Sequence, residues 1–351
     1  MLKVVIVGLG SIGLGCAQSV RVERDMRLVG MVDTDPLKVG KTLPDIAADS
    51  QQRAKEETAG PFAEPIITAD IAEAVKDGAD VAVVTATSDF SSIVPIIEQL
   101  LDHKVAVVSS CEEMIWPWYR HDAQARALDE YAKRAGRAVL GAGVNPGFAM
   151  DYLPVALATM LRRVRGVQCV RRVEAGTRRA MLQKKIGATM TPTNFESLAL
   201  AGRIGHRGIE ESLAFVAAGL GQHVEPGSIA VTLEPVLADK PTPSALGLIQ
   251  PGYVRGMRNT ANWQTERLKI SLDLTMAINL EDPKDVVVLD GPVPLRLKVP
   301  GGIPGDSATV ASLLNHVRVV HAAQPGLRTL LDVPLAGCRG ASASVPAPQP
   351  N

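Results

Sequence analysis

The sequence predicts an α/β protein: a Rossmann-type doubly wound parallel sheet, followed by a second α+β domain with an open, mainly antiparallel sheet. Three observations predict it. A β-branched run, Lys3-Val4-Val5-Ile6-Val7, meets Gly8-Leu9-Gly10-Ser11-Ile12-Gly13 and continues as a helix from Leu14. Continuous apolar runs then alternate with helical segments as far as residue 141, and beyond Phe148 the runs lengthen and alternate in polarity.

In the opening unit the first glycine permits the turn, the second lets a pyrophosphate approach the backbone, and the third lets helix and strand pack closely. Arg27 to Val32 reads as a second strand ending in Asp33, 20 residues beyond Gly13, where an acid can accept both ribose hydroxyls of an adenosine. Asp33 favours an unphosphorylated ribose. Lys38 and Lys41 either meet a 2′-phosphate or lie on a solvated surface, so the expected cofactor is NADP or NAD.

From Pro36 to Pro65 the chain reads as a helix and loops, and Asp70 caps a short helix running to Asp77. Asp80 to Thr85, Lys104 to Ser109 and Arg137 to Gly141 are buried strands of a parallel sheet, separated by helices over Ser91 to Leu101 and Tyr119 to Ala135. Asp151 to Arg162 and Glu210 to Gly219 read as helices. Val164 to Glu174, Ser228 to Leu237, Tyr253 to Trp263 and Arg267 to Leu280 read as long alternating strands. The expected organisation is a dinucleotide-binding domain over residues 1–145, a substrate-binding and dimerisation domain over 146–305, a helix at 306–322 that returns to the first domain, and a disordered Ala, Ser and Pro-rich tail at 340–351.

A chain of 351 residues exceeds what one core comfortably fills, which agrees with two domains. Its 37 basic and 37 acidic residues cancel, which argues against nucleic acid or an anionic membrane as a partner. No apolar run reaches the roughly 18 residues needed to span a bilayer. Cys16, Cys111, Cys169 and Cys338 are scattered, and no histidines have metal-ligand spacing; no metal is expected, and a reduced cytoplasm is the natural compartment.

Ligands of such sheets lie beyond the carboxyl ends of the strands. The cofactor residues expected there are Gly8, Gly10, Ser11, Ile12, Gly13, Asp33, Thr85, Ala86, Thr87, Ser110, Cys111 and Asn145. Two adjacent acids, Glu112 and Glu113, follow one strand end, either as a solvated helix start capped by Ser110 or with one carboxylate in the cleft holding a cationic group. Asn145 either completes a turn or hydrogen-bonds the carboxamide or the substrate, and it joins Glu112 and Glu113 as a catalytic candidate. Trp116, Phe148 and His206 are assigned to the substrate pocket. Core filling is the rival reading for the Trp116-Pro117-Trp118 pair, and a structural role the rival for His206.

Taken together, SSCEEMIWPW (109–118), GAGVNPGFAMD (141–151), LQKKIGATMTPTNFE (182–196), GHRGIEESLAF (205–215), VLDGPVPLRLKVPGGIPGDSATVA (288–311) and PGLRTLLDVPL (325–335) resemble the 2,4-diaminopentanoate dehydrogenase family, which includes the native amine dehydrogenases. The first domain also resembles dihydrodipicolinate reductase in fold, but no Lys-x-Asp-x-Pro-Ser-Gly-Thr segment is present. The resemblance implies reversible NAD(P)-dependent oxidative deamination of an amine, or reductive amination of a small ketone or aldehyde with ammonia by hydride transfer to an iminium, in a homodimer joined by the long sheet. It places the family's glutamate on Glu112 or Glu113. Related sugar and inositol dehydrogenases carry Glu-Lys-Pro here, and Glu113 taking the lysine's place is the preferred assignment. Arg178 and Arg179 would bind a substrate carboxylate or lie on a solvated face. The alternatives are 2,4-diaminopentanoate dehydrogenase proper, an alcohol or sugar dehydrogenase on this scaffold, and a non-catalytic cofactor sensor.

Overall fold

A computed structural model describes residues 1–47 and 64–338. Most of the helix-and-loop segment expected between Pro36 and Pro65 lies outside them, as does the tail at 340–351. Along the chain come β1 (Leu2–Val7), α1 (Ser11–Val22), β2 (Met26–Val32), α2 (Leu43–Ala47), β3 (Ile67–Thr68), α3 (Ile71–Val75), β4 (Val81–Val84), α4 (Phe90–Asp102), β5 (Ala106–Ser109), a 3₁₀ turn (Glu112–Ile115), α5 (Trp118–Ala135) and β6 (Ala138–Gly141). There follow α6 (Tyr152–Ala158), β7 (Gly166–Glu174), α7 (Ala180–Lys185), α8 (Pro192–Leu200), α9 (Ile209–Gly219), β8 (Ala230–Leu237), a hairpin of β9 (Thr242–Ser244) and β10 (Gly247–Ile249), then β11 (Val254–Gln264), β12 (Lys269–Ala277), β13 (Lys284–Asp290), β14 (Leu295–Pro300), α10 (Gly305–Ala322) and β15 (Gly326–Arg328).

The first sheet is parallel throughout, in the order β15-β6-β5-β4-β1-β2-β3. Its β-branched residues serve both faces: Val4 and Ile6 pack with Ala17 and Val20 of α1, whereas Val5 and Val7 pack with Phe90, Ile93 and Ile97 of α4. Local chemistry sets the helix ends. The Asp70 carboxylate accepts from the amides of Ala72 (2.7 Å) and Glu73 (3.3 Å), and Asp89 accepts from Ser92 N–H at 2.8 Å. α10 lies on this sheet beside α1, with Leu313, Leu314, Val317 and Val320 in the same core. The two helices run parallel: Gly15 leaves room for Val310, and Arg318 pairs with Asp25 (2.7 Å) and Glu23 (3.0 Å) at the far end. β15 then adds a seventh strand beside β6.

The second sheet has the order β14-β13-β7-β12-β11-β8, with only β7 and β12 parallel. Leu213, Ala214 and Ala217 of α9 pack on Ile270, Leu272 and Leu274 of β12. The opposite face, bearing Val170, Arg258, Thr260 and Asp273, enters none of the hydrophobic clusters. The helix expected over Asp151 to Arg162 ends early, at Ala158. There the Thr159 hydroxyl donates to the Ala156 carbonyl at 2.7 Å, a local bond that competes with continuing the helix.

Burial in α9 carries a pH-dependent cost. Glu211 is fully buried, and its carboxyl is pushed up from 4.5 to about 7 by desolvation, which Arg120 offsets only in part from 3.0 Å. A carboxyl raised on folding destabilises once it must ionise, so stability falls as pH climbs from 4.5 through about 7. Glu211→Gln is therefore expected to stabilise the protein by about 2 kcal/mol near pH 8.5 and hardly at all near pH 4.5. Urea unfolding at the two pH values checks this; an equal gain at both would leave the cost unconnected to ionisation.

Candidate active site

Between the two sheets lies a cleft of about 610 Å³. One end is the β1–α1 turn. Gly8 sits at φ +88°, and a Cβ on it would stand 2.8 Å from the Ala86 backbone; a Cβ on Gly13 would stand 1.9 Å from the Gly8 carbonyl oxygen. The Thr85 hydroxyl, donating to the Gly8 carbonyl at 2.6 Å, holds that arrangement. Gly8 and Gly13 therefore shape the turn without lining the cleft, while Gly10, Ser11 and Ile12 line it, together with Thr85, Ala86, Thr87 and Ser110. A Cβ on Gly10 would project into open space, the room a close-lying pyrophosphate needs.

Asp33 lies at the end of β2. Burial works to raise its carboxyl, but donation from the Asp35 amide (2.9 Å), Lys38 Nζ (3.0 Å) and the Leu9 amide (2.7 Å) outweighs it and holds the group below its ordinary value. Lys38 is thus folded back on Asp33 and on the Leu9 carbonyl, not spread over a solvated surface, whereas Lys41 is exposed.

Glu112 and Glu113 stand on the 3₁₀ turn after β5, where successive side chains diverge by about 120°. The expectation that preferred Glu113 is corrected by this geometry. Glu113 is 2% exposed and does not line the cleft. Its Oε2 accepts from the Phe90 amide (2.8 Å), the first residue of α4, and lies 3.2 Å from His121 Nε2; its Oε1 accepts from Arg207 at 3.1 Å. Glu113 satisfies a helix terminus and binds two bases.

Glu112 points the other way, into the cleft, with its side chain 17% exposed. Oε1 accepts from Lys185 Nζ at 3.0 Å. Oε2 is buried without a hydrogen-bond partner, 3.6 Å from His206 Nδ1. Burial pushes His206 down to about 4, so the ring is neutral at neutral pH. Asn145 Nδ2 donates to His206 Nε2 at 3.1 Å, which puts the ring proton on Nδ1, facing Glu112. Burial raises the Glu112 carboxyl, but the neighbouring His206, the charge and hydrogen bond of Lys185 and a hydrogen bond with Ser88 together outweigh it and hold the group below its ordinary value. Neither acid forms a solvated helix start.

Three further expectations are corrected. Cys111 is buried outside the cleft, its thiol pushed up to about 12 by burial. Trp116 fills core, edge-on to Phe215 (6.0 Å between ring centres) and beside Trp118 (5.2 Å). Phe148 lines a separate cavity of about 250 Å³ with Tyr152, His316 and Leu330. His206 and Asn145 do line the main cleft, as do Arg178 and Arg179, which share the carboxylate of Asp306 at the start of α10. Residues absent from the sequence-based assignment complete the walls: Lys185, Leu182 and Ile186 around α7, Met257 from β11, Leu274 and Met276 from β12, and Arg171 from β7. Arg171 is itself buried against Asp285. The alternation of β12 carries the signal for the apolar wall, with Ile270, Leu272, Leu274 and Met276 at every second position; on β11 the corresponding face mixes Met257, Ala261 and Trp263 with Asn259.

A glycine-cradled turn on a doubly wound sheet, facing a desolvated carboxylate across an interdomain cleft, defines a two-domain Rossmann-type oxidoreductase. Residues 148–344, more than half of the chain, match the family model described as the 2,4-diaminopentanoate dehydrogenase C-terminal domain, and the chain belongs to that family. It is 26% identical over 339 residues to a 2,4-diaminopentanoate dehydrogenase of Acetoanaerobium sticklandii, covering 95% of this chain and 93% of that one. It shares the fold of an amine dehydrogenase from Mycobacterium smegmatis, with a TM-score of 0.82 and 22% identity over 96% of this chain and 97% of the other. No helix among the described residues is long and apolar enough to cross a membrane.

Proposed function

We propose that the protein is an NAD(P)-dependent amine dehydrogenase, acting reversibly on a small amine or on the corresponding ketone or aldehyde with ammonia. The observation that carries this reading is the buried, unpartnered Oε2 of Glu112 in the cleft. Such an atom is an acceptor awaiting a donor, and a cation 4 Å from the carboxylate would gain about 4 kcal/mol at an effective dielectric of 20. Family membership and the name of the Acetoanaerobium sticklandii relative support the same chemistry.

The glycine turn, the open space over Gly10 and the carboxylate of Asp33 fit a dinucleotide, with Asn145 at the reacting end. When bound, the dinucleotide supplies or accepts the hydride. Glu112 draws the ammonium in, takes a proton from it as ammonia adds to the carbonyl carbon, returns that proton to the carbinolamine oxygen so that it leaves as water, and pairs with the resulting iminium. His206, fixed by Asn145, keeps the carboxylate facing the cleft. Met257, Leu274, Met276 and Leu182 exclude water from the carbon chain of the substrate and limit its size. Arg178 and Arg179, with one carboxylate between them, favour as a second reading an amine that also bears a carboxylate. A homodimer would join through the uncovered face of the second sheet, and four cysteines with no disulfide among them suit the cytoplasm.

Oxidation of NADH and NADPH with small ketones and aldehydes, with and without ammonium at alkaline pH, tests the proposal. Turnover that requires ammonium is expected. Turnover without it would point to an alcohol dehydrogenase, and tight cofactor binding with no turnover to a sensor.

A further inference from the structure

Lys185 is the last residue of α7, and its Nζ is 3.0 Å from Glu112 Oε1 although the side chain is 39% exposed. The helix does not depend on this ion pair for its position. Gln183, fully buried, donates through Nε2 to the carbonyls of Ala175 (3.0 Å), Gly176 (3.1 Å) and Arg178 (2.9 Å), and its Oε1 accepts from the Ala245 amide at 2.8 Å. The fold therefore delivers a primary ammonium to the site carboxylate and holds its backbone there by other means. The lysine stem reaches solvent and can leave without burying its charge.

We infer that Lys185 is a built-in stand-in for the substrate ammonium: it neutralises Glu112 from Oε1 between turnovers, and the incoming ammonium or amine must compete with it for the carboxylate. This rests on the amine dehydrogenase reading above. At the alkaline pH of the reaction the Glu112 carboxylate is ionised, and Lys185 is the cation seated on it. Lys185 on Oε1 and a substrate cation at Oε2 compete for the one negative charge of the carboxylate. Its tail needs only to swing outward, so the competition is mild. Lys185 is a positioning residue that sets the ammonium concentration at which the enzyme works.

Two substitutions in the full chain test this at one fixed alkaline pH. In Lys185→Met the competitor is gone, and the KM for ammonium is expected to fall about fivefold, while the KM for the carbonyl and the Kd of NADPH and NADH stay within about twofold. In Lys185→Arg a forked, bidentate partner holds Glu112 more firmly, and the KM for ammonium is expected to rise. Damage to the fold does not tighten binding, so a fall is diagnostic. Calorimetric titration of the cofactor-loaded protein with propylammonium gives a readout that needs no turnover, and its Kd is expected to follow the same order, Met below wild type below Arg. An unchanged or weakened Kd in Lys185→Met overturns the inference, whatever the catalytic assays show. Absence of ammonium-dependent turnover in the wild type overturns the amine dehydrogenase reading instead, and leaves the titration to decide the role of Lys185.

Discussion

Glu112→Gln is expected to lower kcat for reductive amination at least about a thousandfold while leaving the Kd of NADPH and NADH within about twofold. The amide keeps the shape of the side chain and loses its charge. It neither attracts an ammonium ion nor takes a proton from one, and it leaves Lys185 without its anion. Glu113→Gln is the informative contrast, because Glu113 lies outside the cleft, where it receives the first amide of α4 and pairs with Arg207 and His121. That variant is expected to lose about 1–3 kcal/mol of stability with little change in turnover per folded molecule. Steady-state kinetics, cofactor titration by fluorescence and urea unfolding of both variants separate the two carboxylates. Loss of turnover in Glu113→Gln with survival in Glu112→Gln would return catalysis to Glu113 and remove the basis of the site described above.

Gly13→Ala and Gly10→Ala are expected to fail in different ways. At Gly13 the new methyl would lie 1.9 Å from the Gly8 carbonyl oxygen and 2.7 Å from the Thr85 hydroxyl, so backbone must move and the turn between β1 and α1 must open. Both the unliganded protein and its cofactor complex are then damaged, with stability falling by about 2–4 kcal/mol and cofactor affinity at least about a hundredfold. At Gly10 the backbone is in an extended conformation that alanine accepts, with no atom near the added methyl. There the unliganded stability is expected to stay within about 1 kcal/mol while affinity for the dinucleotide still falls about tenfold or more, because the methyl occupies the space of the pyrophosphate. Urea unfolding without cofactor, set beside cofactor titration, distinguishes the two. Equal destabilisation by both substitutions would show that Gly10 serves packing alone.

What the sequence made legible was local. The strand, the glycine turn, the helix and Asp33 fall within one βαβ unit, and each residue type is demanded by a near neighbour. The position of the Glu112-Glu113 pair at a strand end was legible for the same reason. Its direction was not, because one residue of a 3₁₀ turn is enough to send a carboxylate to the opposite side, and no periodicity marks that rotation. Trp116 and Phe148 misled because their true neighbours, Phe215 for one and His316 and Leu330 for the other, are distant in sequence. Lys185 reaches Glu112 across 73 residues, and the short α7 that carries it has too few turns to show an apolar stripe. β13 was hidden by its central position between β7 and β14: Val286, Val287 and Val288 form a continuous apolar run without the alternation of β11 and β12. The mainly antiparallel character of the second sheet did follow from those longer strands, since each has one polar face.

The parallel docking of α10 against α1, with β15 entered beside β6, has a consequence for how the molecule comes into being. Early elements are covered only when residues made about 300 positions later arrive: Ile6 of β1 and Ala17 and Val20 of α1 wait for Leu313, Val317 and Val320 of α10. A nascent chain that has completed β6 therefore still exposes the part of that apolar face that α10 covers while the entire second sheet is being synthesised. Loop closure over some 300 residues is slow and entropically costly, so this domain is the late-folding half of the protein despite leading its sequence.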